Sequence, residues 1–435
     1  MMLFFLMLAC RQEPHPDDSP TDSDTDLWDT GEEDSLPEGI YEIDGLDATL
    51  PPNDLDALVD IVGDASVVAL GESVHTSGGY YQAKYRLFRY LVEQQGFRVF
   101  AFESPWTDAE LIADYVSTGE GSAFTAVTSG LFGVWADENV LDLVEWMRTY
   151  NEEHPGDPVS FYGFDIQQPW DDGAALTAFL ESTLAQQATS LIDGFASCNG
   201  ATYQSAEDYY ADPDAMVVSE DDHLACNAGL DAVKKAFVDY EDEIIDALSE
   251  EALAWAKIYL VGLRSWEGEV YYYDSDPTAS YQSRDEGMVE VFQSIRQLRH
   301  RDERVVIWAH NWHISANSHL SDSYPSAAKS MGTFLNEQMG VDYVPIGLGG
   351  YAVSINWPGI YTGEIVAPAH RDVLTKLHAL ERDYLLVDFT FPGAEDPFLK
   401  PGKRYLLCAE EQVPAEQFRA FLFLDESPMM ESLLW

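Results

Sequence analysis

Basic side chains are scarce in this sequence: Lys and Arg number 23 against 77 Asp and Glu, a formal net charge of -54. A field of that sign repels phosphate backbones and anionic headgroups, so it excludes nucleic-acid binding and charge-driven adsorption to membranes. The acidic residues are spread along the whole chain, which points to adaptation to high salt, where ions screen self-repulsion. Attraction of a cationic substrate is the other reading of the same charge. Also missing are a glycine-rich phosphate loop with its Lys, an internal repeat, and a second apolar run long enough to span a bilayer. A G-x-S-x-G nucleophile elbow is absent too, because Ser73 in GESVH lacks the second glycine.

What remains is globular. Hydrophobic residues make up 46% and aromatics 13%, and 435 residues fit one large domain or two. The opening MMLFFLMLAC has an apolar run with no Lys or Arg before it and a Cys after Leu8-Ala9. It reads as a truncated lipoprotein signal over 1–10 with Cys10 as the lipidated residue, the true start lying upstream. Residues 11–42, rich in Asp, Ser, Thr and Pro, then read as a disordered acidic tether. Together they predict an exported protein held to the bacterial cell envelope by a lipid anchor.

The stretch SVVALGESVHTSGGYYQAKYRLFRYLVEQQGFRVFAFESPW, residues 66–106, organises the rest. An apolar run ends in Gly71-Glu72 with His75 three residues on. A helical period follows over about 80–95, and a second apolar run over 98–102 delivers Glu103. Strand, helix and strand of this kind form a parallel unit that places reactive groups at one sheet edge.

Further helices are expected over 54–62, from about 108 until Gly119, over 137–150, 326–339 and 373–380. Strands are expected over 159–164, 305–308, 343–348, 384–388, 405–408 and 418–424. Between about 170 and 300 helical periods dominate, which reads as an insertion in a three-layer α/β domain over 43–435. Cys198 and Cys226 lie in that insertion. In an exported protein they are a disulfide candidate whose closed loop would stabilise by ~3 kcal/mol, with Cys408 a buried core thiol.

Glu72, His75, Glu103, His310 and His313 carry the chemistry. His310 follows the strand VVIWA directly, so it projects from the same edge as Glu72. A histidine beside carboxylates is oriented and made more basic, as a base that takes a proton from water must be. Two His and two Glu also match the ligand types of zinc or non-haem iron, and spacing does not decide between these uses.

GESVH, FES, Trp135 with Glu138, YGFD, RDEGM from Arg284, VIWAHNWH ending at His313, and KSMGTFL before Gly340 occur in one order. In this ensemble the chain resembles the erythromycin esterase family. The resemblance implies a three-layer α/β fold and cofactor-free, metal-independent hydrolysis of a small-molecule ester or lactone. His75 is then the base, Glu72 and Glu103 its supporting carboxylates, and His310 and His313 the second histidine cluster. Where the esterases place Arg, nine residues after the base, this chain has Lys84, which keeps the charge and loses the bidentate fork. Arg284 is expected near the site as a positioning group, or else in a surface ion pair with Asp285 or Glu286. Trp106, Trp135, Tyr271, Tyr272 and Tyr273 are candidates for an apolar cleft or for core. The family's fold also looks similar to that of iron-binding lipoproteins, so the competing expectation is a non-catalytic exported binder of iron, haem or another metal.

Overall fold

A computed structural model describes residues 35–320, 327–366, 373–390 and 413–435. Nine strands are present among them: β1 Ile40–Glu42, β2 Val67–Leu70, β3 Val99–Pro105, β4 Ser160–Asp165, β5 Val305–Trp308, β6 Tyr343–Trp357, β7 Tyr361–Val366, β8 Tyr384–Asp388 and β9 Ala420–Ser427. The fold is mixed α/β around a multi-stranded sheet, as the sequence predicts. The chain divides into two compact units, the first made of residues 1–100, 112–160 and 304–435, the second of 101–111 and 161–303.

In the first unit the strand order is β1-β8-β9-β6-β2-β5-β3, with β7 paired to β6. β2 runs parallel to both β5 and β6, and every residue of β2 and β5 is buried. Their continuous Val, Ile and Leu runs reflect that burial on both faces. The β2–β5 register pairs Leu70 with Trp308, so Glu72 and His310 each lie two residues past matched strand ends. That register, set by apolar side chains, is what brings the two residues to one edge.

The helix Gly78–Gln95 returns the chain from β2 to β3 and ends where Gly96 turns at φ 74°. Gly78 and Gly79 open it because a Cβ would meet the Met429 carbonyl at 2.6 Å and Ser427 Oγ at 2.4 Å. The helix Glu138–Glu153 is capped by Asp137, whose side chain accepts from the Asn139 amide. It buries Val140, Leu143, Val144 and Met147, the positions its period marks.

The second unit holds the paired ends of β3 and β4 and seven helices among the described residues, from Pro169–Thr183 to Pro277–Arg299. They lie in the stretch where helical periods dominate the sequence. Cys198 and Cys226 form a disulfide inside a core with Leu180, Leu230 and Phe237.

Several expectations change. Residues assigned to the tether include Ile40–Glu42, which instead pair with β8 in antiparallel register. The helix expected over 54–62 splits into a 3-10 turn Pro52–Leu55 and a helix Ala57–Val62. The helix expected from 326 starts at Met331, because Ser330 caps it by accepting from the Thr333 amide. β6 runs nine residues past the expected end at 348, and β7 was not expected at all. The alternating burial at the far end of β6 belongs to a hairpin with β7. The lipidation residue Cys10, the strand over 405–408 and the thiol Cys408 lie outside the described residues.

Candidate active site

Glu72 is the centre of the site in the first unit. Its Oε1 accepts from His75 Nδ1 at 2.6 Å and from the Trp135 indole N–H at 2.9 Å, and its Oε2 accepts from Lys84 Nζ at 2.8 Å. Glu72 and Lys84 are wholly buried, and His75 is 4% exposed. Burial opposes ionisation of Glu72, but the Lys84 ammonium and the His75 hydrogen bond outweigh it and hold the carboxyl below its usual range. A carboxylate at Nδ1 fixes the tautomer with the proton on Nδ1 and leaves Nε2 with its lone pair. Among the described residues Nε2 has no hydrogen-bond partner, and Glu72 is the carboxylate paired with His75.

Three rings border the imidazole, each edge-on: Trp135 at 5.0 Å, His310 at 5.3 Å and Trp357 at 6.0 Å. Lys84 reaches Glu72 from the helix Gly78–Gln95, passing 4.2 Å from the centre of the Trp308 ring. The single ammonium serves one oxygen of Glu72, while the indole and the imidazole serve the other.

His310 occupies its place through backbone contacts. Its Nδ1 accepts from the Trp312 amide at 3.2 Å and its Nε2 donates to the Ser73 carbonyl at 3.1 Å, so it is the Nε2–H tautomer and caps the short helix Asn311–Ile314. His313, on that helix, is buried with its ring 6.4 Å from that of His310. Asn311 locks the two strand ends together. Its amide donates to the Glu72 carbonyl at 2.8 Å, and its side chain bonds both the N–H and the C=O of Leu348. Gly71 is required here, since a Cβ would lie 1.9 Å from Asn311 Oδ1.

The residue after His75 is strained. Thr76 has φ 65°, a left-handed conformation that a β-branched residue rarely adopts. It is held by the Tyr81 hydroxyl, which accepts from the Thr76 amide at 2.7 Å and donates to the Val134 carbonyl at 2.7 Å. The segment 428–433 closes over this loop, with Ser77 bridged to Met429, Asp137 bridged to Ser432, and the Met430 amide on the Thr76 carbonyl. Neither the strain nor this segment has a signature in apolar periodicity.

The other two expected residues lie in the second unit. Glu103, at the end of β3, accepts from Arg284 Nη2 at 3.1 Å, and Asp165, at the end of β4, accepts from the same nitrogen at 2.5 Å. The neighbours first considered for Arg284, Asp285 and Glu286, are not these partners. Of the aromatic candidates, Trp135 donates to Glu72, Trp106 stacks on Trp255 at 5.5 Å, and Tyr271 stacks on His223 at 3.8 Å. Among the described residues no group of three or more His, Cys, Asp or Glu is arranged to hold a metal ion.

The family described as Erythromycin esterase matches residues 92–427. The chain belongs to the erythromycin esterase family. YbfO of Bacillus subtilis (strain 168) is 25% identical over 366 residues, 79% of each chain. The erythromycin esterase type II of Escherichia coli is 23% identical over 328 residues, covering 69% of this chain and 72% of that one. Among solved structures, a Bacillus cereus protein matches with a TM-score of 0.73 at 19% identity, over 91% of this chain and 96% of that one. A mutant of the erythromycin esterase EreC in its open conformation matches with a TM-score of 0.69 at 17% identity, over 90% and 98%. Membership of this esterase family makes the chain a hydrolase by kinship and its partner a small molecule.

Proposed function

We propose that this esterase-family protein cleaves an ester or lactone by attack of a water molecule that His75 deprotonates, with no metal. The observation that carries the reading is the 2.6 Å contact of Glu72 with His75 Nδ1, which leaves Nε2 as the acceptor for a water proton. As the proton moves to Nε2, the imidazolium that forms faces a carboxylate already ionised by Lys84, so the developing charge is stabilised where it appears. Trp135 and Lys84 hold the carboxylate in that orientation. His313 is proposed to polarise the substrate carbonyl or to protonate the leaving oxygen, while His310, whose N–H is given to the Ser73 carbonyl, borders the His75 ring.

The apolar N-terminal run, Cys10 and the acidic segment after it support export and lipid anchoring to the cell envelope. The test is hydrolysis of a panel of carboxylic esters and lactones by protein stripped with chelator, alongside His75→Ala. Turnover that survives the chelator and falls by ~10²–10⁴ in the folded variant is expected. Full turnover by the variant removes His75 from the mechanism.

A further inference from the structure

His75 lies in a closed niche. It is 4% exposed, and three rings stand edge-on around its imidazole. A base that takes a proton from water for attack on an ester must be reached by both, so one of the three walls has to give way. The walls differ in how firmly they are held. Trp135 is buried, and its indole N–H donates to the same Glu72 oxygen that holds His75 Nδ1. His310 is fixed at both ring nitrogens, by the Trp312 amide and the Ser73 carbonyl. Moving either ring breaks hydrogen bonds at the centre of the site.

Trp357 carries no such tether. It meets His75 through a ring contact at 6.0 Å, and among the described residues its indole N–H has no hydrogen-bond partner. It is the last residue of β6, paired with Tyr361 across the hairpin, and its carbonyl accepts from the Ile360 amide at 3.0 Å. Pro358 and Gly359, the latter at φ 80°, are the residues a type II turn needs at its two central positions. Among the described residues β7 pairs with β6 alone, and none of its residues is buried. The tip of the hairpin therefore rests on the unit through β6 only, and an element with few buried contacts opens locally at low cost. Behind Trp357 the strand is fixed: Val353 and Ile355, on the same face, are fully buried, and the Asn356 amide meets the Thr76 carbonyl at 3.4 Å.

We propose that Trp357 is the wall that yields, and that it determines specificity. Its indole swings aside as the acyl group of a substrate enters, so compact acyl groups pass and bulky ones are refused. The favoured class is an ester of a small carboxylic acid, because an aryl or macrocyclic acyl group has to displace the indole further. The inference rests on the hydrolase reading for its chemistry, but access to His75 is measurable without turnover.

Two p-nitrophenyl esters, the acetate and the 4-phenylbenzoate, share a leaving group. Comparing the ratio of their kcat/KM values between the full-length wild type and a variant cancels their intrinsic reactivity and reads the acyl side alone. The acetate preference should fall about tenfold in Trp357→Ala and be largely kept in Trp357→Phe. Trp357→Val, whose β-branched side chain suits a strand, takes the place of the alanine variant if that one does not fold. In parallel, diethyl pyrocarbonate carbethoxylates accessible imidazoles. Modification of His75, followed by peptide mass spectrometry, should be about tenfold faster in Trp357→Ala, with no change at the exposed His154. An unchanged ester ratio, loss of turnover of both esters in a folded variant, or an unchanged rate of His75 modification overturns the proposal. If the wild type cleaves no ester while His75 of the variant is modified faster, the hydrolase reading fails and Trp357 stands as the yielding wall.

Discussion

Lys84 and Glu72 form an ion pair at 2.8 Å in which neither side chain is exposed to water. Such a pair is stable only as a pair: removing one member strands the other charge in a medium that cannot solvate it. Lys84→Met should therefore lower stability by about 3–5 kcal/mol, read as a shift of the urea midpoint. It should also lower turnover, because Glu72, left with burial as its dominant influence, would protonate and cease to orient His75. A variant that unfolds at the wild-type urea concentration contradicts this.

The depressed Glu72 carboxyl has a signature in acid. Its folded pKa lies below the ordinary value of 4.5, so the stability it contributes is fully present above that pH and is lost as pH falls through the folded value. Glu72→Gln removes the titration. The stability difference between wild type and this variant should be constant above about pH 5 and should shrink on acidification, measured by urea unfolding at successive pH values. A difference that does not change with pH would mean that Glu72 has the same pKa folded and unfolded, and one that grows on acidification would mean that the fold holds it protonated.

Thr76 sets strain against function at one residue. A β-branched side chain at φ 65° costs ~1–3 kcal/mol, and its Oγ1 is also buried without a hydrogen-bond partner among the described residues. Glycine adopts this backbone freely but loses more entropy on folding, by ~0.5–1 kcal/mol. Thr76→Gly should consequently raise stability by about 1 kcal/mol, visible as a higher melting temperature. A loss of stability would mean that the Thr side chain supports the loop more than the conformation penalises it.

In the second unit, the bond from Cys198 to Cys226 spans a sequence separation of 28. Closing a loop of that length restricts the unfolded chain by roughly 3.5 kcal/mol. Replacing both cysteines with alanine should cost about that much in urea unfolding, with the helical circular-dichroism signal retained in the absence of denaturant. An unchanged midpoint would place the disulfide's effect elsewhere.

Much of this architecture was legible because it rests on local pattern. Val305–Trp308 forms the strand its apolar run predicts, and the distance from Leu70 to Glu72 equals that from Trp308 to His310. Once β2 and β5 pair, the two residues must share an edge. The partners of Glu72 were harder to read. Trp135 was recognised as an aromatic that could line a cleft, but nothing in its neighbourhood signals an indole N–H aimed at a carboxylate 63 residues away. Arg284 follows the same rule, because its acid partners Glu103 and Asp165 end two strands far from it in the sequence. Contacts that depend on a tertiary fold leave no period in the sequence that makes them.

The closure of 428–433 over the Thr76 loop has a consequence for biosynthesis. The Gly78 amide needs the Pro428 carbonyl, the Thr76 carbonyl takes the Met430 amide, and the Ala136 carbonyl takes the Leu433 amide. A nascent chain emerging from the ribosome presents GESVH hundreds of residues before it presents these partners. The histidine loop thus cannot reach its folded shape until residue 433 has cleared the exit tunnel.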